Sequence, residues 1–159
     1  MIVVGMAEVK FGTSSDVLVT RGLGSCVGIA IYDPVKKVIG LVHAGWRGTV
    51  KEIAKKSVLL FKESFASRPQ DIIACLGPSI GSCCYEVQDD VSRYFDKQYV
   101  KKNHLDLWLA NKEQLLSQGV KECHVEVSGF CTMCHQEWFF SHRASSGKTG
   151  RMMAAMKLM

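Results

Sequence analysis

Residues 22–48, GLGSCVGIAIYDPVKKVIGLVHAGWRG, decide the fold. Two apolar, β-branched runs, VGIAIYD and VIGLVHA, flank the turn segment DPVKK, and this pattern predicts an antiparallel hairpin. If Asp33 faces Val38, then His43 faces Gly28, and Cys26 lies one diagonal step away on the same face of the sheet, about 7 Å distant. A slip of one residue would send the pair to opposite faces, so the register carries the inference. Gly22 and Gly24 before Cys26, and Gly45 and Gly48 after His43, permit tight turns and close approach of a ligand to backbone. On this register, Cys26 and His43 are either metal ligands or a thiol nucleophile with its base. The bland alternative makes Cys26 a small core residue and His43 a satisfied sheet histidine.

Outward from the hairpin, MIVVGMAEV and DVLVT read as two further strands before it. From Thr49 the spacing turns helical, with Val50, Ile53, Ala54, Val58, Phe61 and Phe65 on one face, and the helix is expected to stop before Pro69. DIIACLG, HVEVSGF and RMMAAMKLM read as strands and DDVSRYFDKQY as a helix. DLWLANKEQLLSQG reads as a helix with Asp106 as N-cap and Gly119 at its C-terminal end. Strands gathered early and helices interspersed later predict one α+β domain over residues 1–159, with layered mixed β-sheets flanked by helices.

A net charge of +5 over 159 residues, spread in pieces such as KEIAKK and KQYVKK, suits anionic small molecules. Basic-aromatic interleaving of the nucleic-acid-binding kind is missing, so no nucleic-acid partner is expected. The opening MIVVGMAEVKF lacks a cationic export signal, and no uncharged run approaches the ~18 residues of a membrane span. A cytoplasmic location without membrane contact is therefore expected. Seven cysteines, an odd number without an export signal, point to reduced thiols or metal ligands rather than disulfides.

Several motifs fail on inspection. Cys131-Thr-Met-Cys134-His135 matches covalent haem attachment, which needs export. A closed four-cysteine metal site needs a second C-x-x-C, whereas Cys83 and Cys84 are adjacent, so no such site is expected. Gly147-Lys148-Thr149 lacks the earlier glycine of a P-loop, where His142 stands. Gly22-Leu-Gly24 precedes a strand where a dinucleotide fingerprint requires a helix. What remains near the C-terminus is SHRASSGKTGR, whose His142, Arg143, Lys148 and Arg151 form a candidate clamp for phosphate or carboxylate.

Two family resemblances meet at the Cys26–His43 pair. HAGWRG, CLGPSIGSCCYEV, HLDLW, CTMC, FFSHR and GKTGRM, in order over residues 43–159, resemble the YfiH or laccase-domain polyphenol oxidase family. Residues 1–42, with MIVVGMAEV, VLVT, GLGSCVGI and YDPVKKVIG, resemble the chemotaxis glutamine deamidase family, CheD, which shares the fold. The first resemblance implies a zinc-dependent purine nucleoside enzyme. Its cysteine and histidine, here Cys26 and His43, are zinc ligands joined by a histidine upstream of the cysteine. No histidine precedes His43, and Ser25 replaces that family's acidic residue. The second implies Cys26 as nucleophile, His43 as its base and Thr20 completing the site, acting on a glutamine-bearing protein.

The chemistry differs accordingly. A catalytic zinc needs a third protein ligand, for which His124, His135 and His142 are the histidines available after the helical region. Zinc-held hydroxide would deaminate adenosine, or the site would position phosphate to displace the purine of adenosine or inosine, with Arg47 and Arg151 as anion clamps. Without metal, a thiolate–imidazolium pair would attack a side-chain amide, with the Gly24–Cys26 turn as oxyanion hole. The nucleoside enzyme is the leading expectation, the thiol amidohydrolase its alternative, and a catalytically inactive mosaic or binding protein a third.

Overall fold

Asp33 closes the central hairpin. Its Oδ1 accepts the N–H groups of Val35 (2.8 Å) and Lys36 (2.9 Å), and Lys37 takes up a left-handed conformation at φ 54°. This Asx-type turn joins β4 (Val27–Asp33) to β5 (Val38–Ala44) with Asp33 opposite Val38 and Gly28 opposite His43, the register predicted from the sequence. The computed structural model describes residues 1–159.

Every residue of β5 is buried, because both faces of the strand are covered. Val38, Val42 and Ala44 face the main core with Val27, Ile29 and Ile31 of β4. Ile39 and Leu41, on the other face, form a smaller core with Val4 and Leu18. His43 follows Ile39 and Leu41 in alternation and therefore points into this second layer.

The second layer exists because the run MIVVGMAEV divides. It forms β1 (Ile2–Val4) and β2 (Val9–Gly12) in place of the single strand expected. Between them Ala7 is left-handed (φ 56°), and the Glu8 carboxylate accepts the Gly5 N–H at 3.0 Å. β1 then pairs in parallel with β3 (Val17–Leu23), while β2 pairs antiparallel with β5. With β6 (Ile73–Leu76), β9 (Val125–Val127) and β10 (Met152–Lys157), the result is a five-stranded sheet ordered β2-β5-β4-β6-β9 and a three-stranded sheet ordered β1-β3-β10. Both sheets mix parallel and antiparallel pairs, and the fold is α+β. β5 runs unbroken through residues 42 and 43, so no structural seam separates 1–42 from 43–159.

Helices cover the outer face of the larger sheet. The helix expected from Thr49 is two, α1 (Trp46–Val50) and α2 (Ile53–Phe65), broken where Glu52 is left-handed at φ 56°. α2 buries Ile53, Ala54, Val58 and Phe61 and stops at left-handed Ala66, ahead of Pro69. The helix expected over DDVSRYFDKQY shrinks to one turn, α3 (Asp89–Ser92), because Asp, Val, Ser, Tyr and Phe are all weak helix formers. The short ribbon β7 (Val100–Lys101) and β8 (His104–Leu105) then leads into α4 (Leu107–Ser117). Asp106 caps α4 as predicted, accepting the Leu109 N–H at 2.9 Å, and Gly119 follows the C-cap Gln118 with φ 90°. No helix is long and apolar enough to cross a membrane.

Candidate active site

His43 meets Thr20 across the gap between the two sheets. Thr20 Oγ1 lies 2.8 Å from His43 Nδ1 and 3.0 Å from the carbonyl oxygen of Val4. A hydroxyl has one proton, and the Val4 carbonyl can only accept, so Thr20 donates to Val4 and receives the N–H of His43 Nδ1. The proton on Nδ1 leaves Nε2 as a bare lone pair. Nε2 is buried without a hydrogen-bond partner, and burial holds the imidazole below its ordinary pKa.

Cys26 occupies the bend before β4. Its Sγ packs on Gly45, where an added Cβ would stand 2.9 Å from the sulfur. Burial raises the thiol's pKa, and a hydrogen bond with the Ser25 side chain opposes that rise. Cys26 and His43 therefore both favour their neutral forms and make no hydrogen bond to each other, unlike a preformed thiolate–imidazolium pair. Two contacts grip the bend. The Ile80 N–H donates to Ser25 O at 3.4 Å, and buried Thr132 Oγ1 donates to Gly24 O at 2.8 Å.

Trp46, Tyr85, Asp90, Val91 and Arg143 line an open pocket of about 430 Å³, whose lining includes neither Cys26 nor His43. Burial, with the nearby Cys26 adding to it, pushes the Tyr85 phenol up to about 12, while Arg143 and Arg47 pull the other way. Tyr85 thus feels the charge of the thiol and of both guanidinium groups. The Arg143 guanidinium lies 5.4 Å from the Tyr85 ring centre and donates to Glu86 O at 2.9 Å. Arg47 lies over the Trp46 ring at 4.3 Å, and Tyr94 stacks on the same indole at 6.2 Å.

The side chains of the C-terminal cluster go to different places. Arg143 reaches the pocket, but Arg151 donates to the carbonyls of Thr149 and Gly150 and to His142 Nδ1, each at 3.0 Å. Lys148 sits in a turn closed by its own N–H on Ser145 O at 3.0 Å. The three histidines available as a third ligand each make contacts of their own. His124 contacts Ile72 O at 3.3 Å, at the far end of β6 from Cys26. His135 stacks on Trp138, with ring centres 5.4 Å apart. His142 does pack against Gly24, its Cβ 3.3 Å from where a Cβ on that glycine would stand, but its Nδ1 accepts from Arg151.

The four-cysteine grouping that the sequence spacing argues against is present. Cys83, Cys84, Cys131 and Cys134 bring their Sγ atoms within 4.8 Å of one another. A parallel bridge between Ser79 and Cys131 joins the two loops, and adjacent Cys83 and Cys84 both fit because the chain turns there, with Cys84 N–H and Tyr85 N–H on Gly81 O at 2.9 Å. Burial opposes ionisation of Cys131, but the backbone N–H groups of Gly81, Cys134 and Met133 bring it down to about 7. Burial and the Cys134 side chain instead push Cys84 up to about 11. The signal in the sequence was the count itself, four cysteines in two short loops.

Comparison with known proteins covers nearly the whole chain. The family described as multi-copper polyphenol oxidoreductase laccase matches residues 10–159, which includes most of the segment that resembles the deamidases; a separate CheD-like origin for residues 1–42 finds no support. A purine nucleoside phosphorylase of Bacteroides thetaiotaomicron is 34% identical over 90% of this chain and 60% of its own length. The purine nucleoside phosphorylase YlmD of Bacillus subtilis is 37% identical over 91% of this chain and 56% of its own. Among solved structures, YlmD of Geobacillus stearothermophilus superposes with a TM-score of 0.84 at 36% identity, covering 92% of this chain and 59% of that one. The YfiH protein of Bacillus licheniformis gives 0.86 at 35% identity, covering 95% and 61%. The chain thus spans somewhat over half the length of the curated relatives it matches. With shared sequence from residue 10 onward and shared architecture in both layers, the chain belongs to the multi-copper polyphenol oxidoreductase laccase family.

Proposed function

We propose that the chain carries the phosphate-side half of a purine nucleoside phosphorylase site, centred on His43, Cys26, Arg143 and Arg47. The observation that carries this reading is the buried, partnerless Nε2 of His43, whose lone pair is fixed by the Thr20 hydrogen bond. Such a nitrogen, on the strand paired with the one that Cys26 precedes, fits zinc, and Cys26 and His43 would supply two of its protein ligands. A third is required; His124 and His135 make their contacts in other parts of the chain, and His142, against Gly24, has its Nδ1 on Arg151. When bound, zinc supplies a Lewis acid that polarises a substrate oxygen.

In phosphorolysis a phosphate oxygen bonds to the anomeric carbon of the ribose, the glycosidic C–N bond breaks, and the purine leaves. Arg143, over the Tyr85 ring, and Arg47, over the Trp46 ring, are suited to hold the phosphate through charge-assisted hydrogen bonds. Trp46, pinned by Tyr94 and Arg47, and Val91 give the nucleoside an apolar wall. Thr20 positions His43 and needs no contact with substrate. Arg143 on the pocket, with Arg47 on the neighbouring Trp46 ring, favours phosphorolysis over deamination of adenosine. The missing hydrogen bond between Cys26 and His43 leaves the thiol amidohydrolase without a preformed nucleophile–base pair.

The test is incubation of the zinc-supplemented chain with inosine or adenosine, with and without phosphate, and separation of the products. Phosphate-dependent release of free base and ribose 1-phosphate is expected, with at least tenfold loss in His43→Ala and in Arg143→Ala. Formation of inosine from adenosine without phosphate would replace phosphorolysis by deamination. Rapid alkylation of Cys26 at neutral pH, slowed in His43→Ala, would revive the amidohydrolase.

A further inference from the structure

Away from the Cys26–His43 pair, four thiols stand together with no role in the chemistry above. Cys83 and Cys134 are solvent-exposed, Cys84 is half-buried and Cys131 is buried, so the group is not a patch of core packing. The Cys83–Cys134 and Cys84–Cys134 sulfur separations are 3.6 and 3.5 Å, and all four sulfurs fit within 4.8 Å. Four thiolates around zinc at 2.3 Å in a tetrahedron lie about 3.8 Å apart, so the group needs only small side-chain rotations to close on an ion. The Gly81 N–H already points at Cys131 Sγ, 3.2 Å away, as outer-shell donors do at metal–thiolate centres.

We infer that Cys83, Cys84, Cys131 and Cys134 form a closed tetrathiolate zinc site that locks the 79–85 loop to the 130–134 loop. Zinc(II) enters as four thiols release their protons to solvent, with no change of oxidation state. The position of the site gives it a purpose. The two loops it joins are those that grip the Cys26 bend, through the Ile80 N–H on Ser25 O and Thr132 Oγ1 on Gly24 O. They also carry Tyr85 and lead to Arg143, both on the open pocket. The ion is structural, its four positions filled by protein, and it stands apart from any metal held by Cys26 and His43. Zinc binding at these thiols requires no activity on nucleosides.

The chain purified under reducing conditions is expected to bind one zinc at these thiols, and that zinc should survive in Cys26→Ala and His43→Ala. Cys83→Ser combined with Cys134→Ser should lose it. Because that variant could misfold, the wild-type chain supplies an independent readout. Zinc should protect Cys83, Cys84, Cys131 and Cys134 from alkylation at least tenfold over the metal-free chain, in mass-spectrometric peptide mapping, while Cys75 and Cys123 label equally in both. Cobalt(II) should give the intense sulfur-to-metal charge-transfer bands of a tetrahedral thiolate centre. Equal labelling of the four thiols with and without zinc would overturn the site, as would a preference for iron over zinc or an oxidised Cys–Cys pair in the freshly reduced chain.

Discussion

Thr20 and His43, one from each sheet, are joined by a 2.8 Å hydrogen bond at a point where both side chains are sealed from solvent. Since the Thr20 proton is committed to Val4 O, this bond sets which imidazole nitrogen is free. Thr20→Val keeps the shape but leaves the Nδ1–H and the Val4 carbonyl short of a partner. It is expected to cost roughly 1–3 kcal/mol in urea unfolding, with Thr20→Ser recovering most of it. Nitrogen NMR of the imidazole should show the proton on Nδ1 in the wild-type chain and a mixture of tautomers in the variant. A wild-type proton on Nε2 would refute the assignment.

Asn111 ties α4 to the segment that follows His43. Its Nδ2 donates to Thr49 Oγ1 at 2.9 Å and to Leu107 O at 2.8 Å, and Thr49 Oγ1 donates in turn to Gly45 O at 3.0 Å. All of these atoms belong to a network whose central side chains, Asn111 and Thr49, are buried. Asn111→Ala should therefore lower stability by about 1–3 kcal/mol, read as a shifted urea midpoint at unchanged slope. A change below about 0.5 kcal/mol, the range of ordinary surface substitutions, would mean the network is slack.

Gly40 is the point where α2 presses on β5. A Cβ there would stand 2.6 Å from Phe61 Cε2 and 3.0 Å from Cζ, and Phe61 is fully buried with Phe11 and Phe65 packed on its ring. Gly40→Ala should cost roughly 1–3 kcal/mol through overpacking. Phe61→Leu makes room, so the double variant should be more stable than the sum of the two single losses predicts. Simple additivity in thermal or urea unfolding would show that the contact is not the cause.

The hairpin was legible because a local device fixes it: Asp33 caps its own turn, and a set turn sets the register through to His43. The capped start of α4 was legible for the same reason. What the sequence concealed depends on tertiary contacts. Nothing local tells MIVVGMAEV to divide between two sheets, since both halves are apolar and each finds its partner far along the chain, β1 on β3 and β2 on β5. The cysteine cluster joins residues 50 positions apart through the Ser79–Cys131 bridge, which no spacing rule for a single loop anticipates. Thr20 entered only by family likeness; its hydrogen bond to His43 crosses two layers, and neither run of sequence contains a sign of it.

Gly45 tests the Cys26 position with little disturbance elsewhere. Its backbone is ordinary, φ −85° and ψ 177°, so alanine meets no conformational penalty there, and the only obstacle is Cys26 Sγ at 2.9 Å. The thiol is the end of a short side chain and can rotate away, so Gly45→Ala should change global stability by less than about 1 kcal/mol while moving the sulfur. If the sulfur and His43 Nε2 act on a common centre, phosphate-dependent cleavage of the nucleoside should fall at least tenfold and the alkylation rate of Cys26 should change, with the tetrathiolate cysteines labelling as before. Full activity with a displaced Cys26 would remove the thiol from the site and leave His43 to act without it.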